Sequence, residues 1–258
     1  MGHPALDLSS KTAVVIGATS GVGLTLARGL AIAGADVVPS GRRAALVEEA
    51  CAEVERAGAL TIRQICDVTS RASIDELRDA VLAKFGNVDV LVNAAGIIFR
   101  KPTVQIAEAE WNRLLDVNLT GALRACQSFY EPLAKNRRGR IINIASLNSF
   151  VSLVQVTAYA ASKAGVLALT RSLAVEWARE GINVNAIAPG VFRTDLNAGL
   201  LDGTERGREL KMRTPMGRFG HASELVGAAV LLASDGASFL TGQCIAVDGG
   251  FLASGVNQ

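Results

Sequence analysis

Histidine is nearly missing from this chain: two residues in 258, His3 and His221, far apart in sequence. A Ser-His-Asp triad and a histidine-based metal site both need more than that, so neither is expected and no metal is predicted. Cysteine is scarce too. Cys51, Cys66, Cys126 and Cys244 are scattered with no C-x-x-C spacing, which predicts buried free thiols in a reducing compartment, not disulfides or zinc ligands. Charge of one sign is missing as well, with 26 Lys and Arg against 24 Asp and Glu and a formal net charge of +2. The densest basic clusters, Arg42-Arg43 and Arg137-Arg138, are too short to follow a nucleic-acid backbone, so no nucleic-acid partner is expected.

Long apolar runs are absent: Arg28 and Asp36 interrupt the longest Gly/Ala-rich tract. The first residues lack a basic region followed by an apolar core, so they predict no signal peptide. Leu6 stands where myristoylation after Gly2 would want Ser or Thr. The expectation is a soluble, cytoplasmic protein with no membrane partner.

What is present is a chain that is 50% apolar and long enough to bury one large core. Short runs rich in β-branched residues alternate with helical patterns. Residues 12–16, a run opening at Asp36, 60–66, 88–92, 140–145, 182–187 and 243–247 read as strands. Helices are predicted over 24–30, 44–57, 71–85 (capped by Thr69 or Ser70), through Trp111, Leu115, Leu119 and Leu123, over 157–180 and over 223–233. Seven strands alternating with six helices describe an α/β fold, a doubly wound parallel sheet with helices on both faces. No Pro/Ser-rich linker or repeat divides it, so residues 1–258 read as one domain. The polar stretch 191–221 follows a strand's C-terminal end, where ligands sit in such sheets, and reads as a substrate lid.

Three stretches carry chemistry. After the first strand comes Gly17-Ala18-Thr19-Ser20-Gly21-Val22-Gly23 and then a helix. Strand, glycine-rich turn and helix make a phosphate cradle: Gly17 for the sharp exit, Gly21 for backbone approach to a pyrophosphate, Gly23 for close helix packing. The second strand ends in Ser40-Gly41-Arg42-Arg43 with no carboxylate. An acidic residue there would bond a ribose 2′-hydroxyl and an arginine suits a 2′-phosphate, which favours NADP(H) while leaving NAD(H) possible. Arg43 reads equally well as a solvated residue at a helix start. Downstream, Ser146 precedes Tyr159 and Lys163, an i,i+4 pair that a helix would stack on one face. An ammonium beside a phenol favours the phenolate and would bring its titration toward neutrality. Alone, the pair also reads as a half-buried tyrosine near a surface lysine.

Taken together, Gly17-x-x-x-Gly21-x-Gly23, Asn93-Ala94-Ala95-Gly96, Ser146, Tyr159-x-x-x-Lys163 and Pro189-Gly190 resemble the short-chain dehydrogenase/reductase family over nearly the whole chain. The resemblance implies a Rossmann-like sheet of seven strands in the order 3-2-1-4-5-6-7, hydride transfer to or from a nicotinamide, and a homotetramer. It implies a catalytic set of Asn118, Ser146, Tyr159 and Lys163. Tyr159 would be the acid/base, Lys163 would lower its pKa and hold the nicotinamide ribose, Ser146 would hold the substrate oxygen, and Asn118 would anchor a water and proton relay. Gly17, Ser20, Gly21 and Val22 would line the pyrophosphate, Asp67 and Val68 the adenine, and Asn93 and Gly96 the ribose, with Thr19, Gly23 and Ala94 as further cofactor-binding positions. Pro189, Gly190, Val191 and Thr194 would hold the nicotinamide end. Two departures stand out. The family usually has Thr where Ile16 stands and Asn where Ala94 stands, so a hydrogen bond that ties the glycine turn to the Asn93–Gly96 segment is missing here.

The C-terminal third, with Thr194-Asp195-Leu196, Arg213 to Gly220 and Val247 to Ser254, is similar to gluconate 5-dehydrogenases and 2-deoxygluconate 3-dehydrogenases, which implies a sugar acid or polyol as the small-molecule substrate. Asn148, Gln155 and Arg193 are the substrate candidates, and Arg206, Arg208, Lys211 and Arg213 add positive charge to the lid. A 3-oxoacyl-acyl carrier protein reductase shares the same core motifs. A non-catalytic nucleotide-binding subunit is the alternative of another class.

Overall fold

The computed structural model describes residues 3–193 and 198–255. The first apolar run is a strand, Thr12–Ile16 (β1), buried along its whole length. It is followed by helix Gly21–Ile32 (α1), strand Asp36–Ser40 (β2), helices Ala44–Arg56 (α2) and Arg71–Phe85 (α3), and strand Val90–Asn93 (β3). Helices Glu108–Leu115 (α4), Gly121–Ser128 (α5) and Tyr130–Lys135 (α6) lead into strand Arg140–Ile144 (β4) and the long helix Thr157–Trp177 (α7). Strand Asn183–Pro189 (β5), helices Ala198–Leu201 (α8), Glu205–Met212 (α9) and Val226–Ala233 (α10), and strand Cys244–Val247 (β6) complete the order.

The strands form one parallel sheet in the order β2-β1-β3-β4-β5-β6. Strand alternation sends successive side chains to opposite faces, and β1 shows it directly. Ala13 and Val15 pack with Leu26 and Leu30 of α1 and Leu225 and Leu232 near α10. Val14 and Ile16 pack with Ile74 and Leu77 of α3 and with Phe129, Leu173 and Trp177. The chain thus builds on both sides of the sheet, and its direction of growth reverses between β1 and β3. That reversal opens a crevice at the C-terminal ends of the two strands, the place such sheets bind ligands.

The expected strand at 60–66 is the main correction: the sheet has six strands. The segment does lie beside β2, since Val37 N donates to Leu60 O (3.1 Å) and Cys66 N donates to Gly41 O (3.0 Å). Between those contacts β2 carries Pro39, which has no N–H to give, so the ladder breaks in its middle. The order 3-2-1-4-5-6-7 holds with its first position reduced to an edge segment.

Two further differences bear on the site. The predicted long helix through Trp111 and Leu123 is interrupted by a single widened turn, a π-helical stretch at Asp116–Thr120, between α4 and α5. Residues 198–221 are more regular than the sequence suggests: α8 and α9 bring Leu201 and Leu210 onto Phe219, with Leu153, Val191 and Phe251 packed against them. Ser70, one of the two candidate caps, caps α3 through Ser73 N (3.3 Å). Among the described residues no helix is long and apolar enough to cross a membrane.

Candidate active site

The glycine turn sits at the crevice. Gly17 takes φ of +88°, and a Cβ there would lie 2.4 Å from Ala95 N. Only a glycine lets the exits of β1 and β3 approach so closely. The turn is anchored to the end of β2, where Gly17 N and Ala18 N both donate to Ser40 O (2.8 and 3.0 Å). Gly21, at φ +55°, differs in kind: a Cβ there would meet nothing within 4 Å. The space lies in front of the first turn of α1, whose N–H groups have no helical partner, and Ser20 makes no side-chain capping bond to them. An anion, such as a pyrophosphate, fits there. Gly23 packs the helix onto the turn, a Cβ there lying 2.2 Å from Gly17 O. At the two departures, Ile16 is buried in the apolar core and Ala94 N donates to Ile16 O (2.9 Å). The backbone keeps the tie that the side chains lack.

Arg42 and Arg43 are both exposed, just past β2. Arg42 lies near enough to Asp67 to help hold its carboxyl below the ordinary range, behind the larger effect of the hydrogen bond from Thr69 N. Thr69 N and Oγ1 occupy one oxygen of that carboxylate (3.0 and 2.8 Å). Val68 packs against Gly121 at the start of α5, beside the Asn118 turn.

The four candidate catalytic residues converge from three elements. Asn118 lies in the widened turn, buried, with Oδ1 accepting from Ile97 N (2.8 Å) and Nδ2 donating to Ile97 O (2.9 Å). Ser146 follows β4 and is buried; its Oγ accepts from Asn148 N (3.2 Å) and lies close enough to Tyr159 to act on its phenol. Tyr159 and Lys163 lie one turn apart on α7, with Nζ of Lys163 5.7 Å from the tyrosine ring centre. Lys163 is buried and donates to Ile144 O (2.6 Å) at the end of β4. Gly96 closes the group: a Cβ on it would lie 3.4 Å from Asn118 Oδ1 and 3.7 Å from Lys163 Nζ. A cavity of about 10 Å³, room for one water, touches Asn118, Lys163, Asn93 and Asn143.

The chain's likeness to known proteins agrees with this arrangement. A family model described as enoyl-(acyl carrier protein) reductase matches residues 17–252. The gluconate 5-dehydrogenase of Gluconobacter oxydans is 38% identical over 98% of this chain and 100% of its own length. The 2-dehydro-3-deoxy-D-gluconate 5-dehydrogenase of Escherichia coli is 39% identical over 96% of this chain and 98% of its own. A crystal structure of a gluconate 5-dehydrogenase from Burkholderia cenocepacia, in complex with NADP and tartrate, superposes with a TM-score of 0.93 at 36% identity, covering 98% of this chain and 99% of that one. The chain belongs to the short-chain dehydrogenase/reductase family.

Within that family frame, several sequence expectations need revision. Tyr159 is not brought toward neutrality: burial pushes its phenol above the ordinary value, and the nearby Ser146 hydroxyl offsets this only in part. The same burial lowers Lys163 to about 8. Both groups are pushed toward their neutral forms by loss of water, and the ammonium spends a hydrogen bond on Ile144 O. Asn93 turns its amide into the core, donating to Asn143 Oδ1 (2.9 Å) and Cys126 Sγ (3.3 Å), so that amide is not turned toward a ribose. Arg193 is held by Asp202 through Nε and Nη2 (2.8 Å each at the closest), which removes it as a ready partner for a substrate carboxylate. Asn148 is buried, and its Nδ2 donates back to Val151 O (3.4 Å). Gln155 holds φ +67° and accepts from Arg100 Nη2 (3.1 Å), while its carbonyl accepts from Lys101 N (2.9 Å). Pro189, Gly190 and Val191 lie at the end of β5, and Thr194 lies outside the described residues. Next to Val191 a second cavity, about 430 Å³, is lined by Phe192, Thr214, Met216, Arg218 and Asp248 and by none of the four catalytic candidates.

Arg100 was the residue that sequence reading missed. It follows the Asn93–Gly96 exit of β3 by four positions, and a basic residue just past a strand's C-terminal end is the signal that would have found it. Arg206, on α9, is half-buried; burial first and the nearby Arg100 second hold its guanidinium below the ordinary value. Among the described residues neither arginine forms an ion pair with a carboxylate.

Proposed function

We propose that this protein is an NADP(H)-dependent oxidoreductase that interconverts a keto group and a secondary alcohol on a gluconate-type sugar acid. The observation that carries the chemistry is the convergence of Ser146, Tyr159, Lys163 and Asn118 beside the glycine cradle. The open space at Gly21, the uncapped start of α1 and exposed Arg42 and Arg43 fit a 2′-phosphorylated dinucleotide, held at Gly17, Thr19, Ser20, Gly21 and Val22. When bound, that cofactor supplies or accepts the hydride. In reduction, negative charge grows on the carbonyl oxygen, and two hydroxyls face it. Ser146 Oγ already accepts from Asn148 N, so its own O–H is left to donate. Tyr159, held protonated by burial, gives the proton. Lys163 and the one-water cavity beside Asn118 replenish it.

The sugar-acid reading rests on the relatives named above and on the Arg100–Arg206 pair. Burial first and Arg100 second disfavour the charge on Arg206, Glu209 offsets this in part, and a substrate carboxylate would add to that offset. We further read residues 1–258 as one domain, 191–221 as its lid, the cytoplasm as its place and a homotetramer as its assembly. The test is a panel of 5-ketogluconate, neutral keto-polyols and acetoacetyl thioesters with NADPH and NADH. Preferred turnover of the keto acid with NADPH is expected. Preference for the thioesters would move the assignment to a 3-oxoacyl-acyl carrier protein reductase, and turnover of none would point to a nucleotide-binding subunit.

A further inference from the structure

Ser162 lies between Tyr159 and Lys163 on α7 and is wholly buried. Its Oγ donates to Tyr159 O (2.7 Å), one turn back along the helix. A hydroxyl has one proton, so toward Asn118 it accepts, and Asn118 Nδ2 donates to it at 3.1 Å. The Ile97 peptide takes the other amide proton and the amide oxygen of Asn118. Both N–H donors of the Asn118 amide are therefore used, one of them by Ser162, and its oxygen keeps one free lone pair.

We infer that Ser162 is a positioning residue that fixes the Asn118 turn against the turn of α7 carrying Tyr159 and Lys163. The π-helical stretch at Asp116–Thr120 is a departure from the regular helices on either side, and such a turn needs contacts outside its own helix to hold one geometry. Ile97 ties Asn118 to the exit of β3. Ser162 provides the second tie, to the helix that bears the acid/base. A methyl group in its place leaves a buried amide N–H with no acceptor, and the Asn118 turn shifts to find one. Wholly buried, the residue presents no surface to a substrate or cofactor, so its loss acts through Asn118 on the proton supply.

This inference rests on the proposed site. The experiment is steady-state kinetics on Ser162→Ala, Ser162→Thr, Asn118→Ala and the double variant, with Tyr159→Phe alongside. Ser162→Ala is expected to lose roughly tenfold in kcat, the size of one unsatisfied buried donor, with KM values unchanged and the pH profile of kcat displaced. Ser162→Thr, which keeps the hydroxyl, restores both. In the double variant the losses do not multiply: it is no slower than Asn118→Ala. Wild-type kcat and pH profile in Ser162→Ala, or losses that multiply in the double variant, overturn the inference. Should Ser162→Ala not fold, Ser162→Cys carries the same comparison with a weaker acceptor. If Tyr159→Phe keeps its turnover, the proposed site fails whatever Ser162 does; if it is inactive and Ser162→Ala is normal, only the Ser162 inference fails.

Discussion

Burial of Tyr159 and Lys163 gives the site its pH behaviour. The phenol is raised above its ordinary value and so is protonated at neutral pH, as a reductase needs. Lys163, lowered to about 8, loses its charge as pH rises through that value. Reduction should therefore be fastest near neutrality and fall above about pH 8, whereas oxidation, which needs the phenolate as base, should rise with pH. Opposed pH profiles for the two directions check this; parallel ones would contradict it. Burial in a fold is hard to read from a sequence, which explains the reversed direction expected for Tyr159. Proximity at i,i+4 was legible there, and the loss of water around the pair was not. Charge pairing was equally hidden, since Arg193 looks free in sequence and is held by Asp202, nine residues on, in the structure. Arg206, half-buried beside Arg100, is the lid arginine proposed to meet an anion. Arg206→Ala should raise KM for sugar acids roughly tenfold, the value of one charge-assisted hydrogen bond, and leave neutral polyols unaffected. Equal losses on both would remove the carboxylate reading.

At the scale of elements, the strand–turn–helix unit was legible because its periodicity and its glycines agree. β1 has the predicted ends, Thr12 and Ile16. The strand expected at 60–66 failed because ladder formation depends on the partner strand, where Pro39 removes a donor. The widened turn at Asn118 left no mark in the apolar pattern, since its backbone is set by contacts with Ile97 and Ser162. The glycines separate folding from binding. Gly17→Ala puts a methyl group 2.4 Å from Ala95 N and should destabilise the fold severely, by about 3 kcal/mol or more. Gly21→Ala meets no atom and should cost only about 1 kcal/mol of backbone strain while blocking the anion cradle. Thermal melts and cofactor titration of the two variants check this. A Gly21→Ala protein that binds NADPH normally would contradict the cradle.

The sheet of the whole molecule ends at β6, whose residues are only partly covered, although parallel sheets bury both faces. Phe239 is wholly exposed beside it (101%), and Val175 on α7 is 83% exposed. The homotetramer proposed above would cover apolar surface of this kind, and if it forms, light scattering should return four times the 26.9 kDa chain mass. A monomer mass across micromolar concentrations would contradict that. In the proposed function a dinucleotide cradle meets a proton donor at Tyr159. Removing a single oxygen tests it: Tyr159→Phe is measured for reduction of 5-ketogluconate with NADPH, and for NADPH binding by fluorescence. Binding within about twofold of wild type is expected, with turnover reduced at least a thousandfold, the upper range for loss of a general acid. Turnover near the wild-type rate, with NADPH still bound, would contradict it.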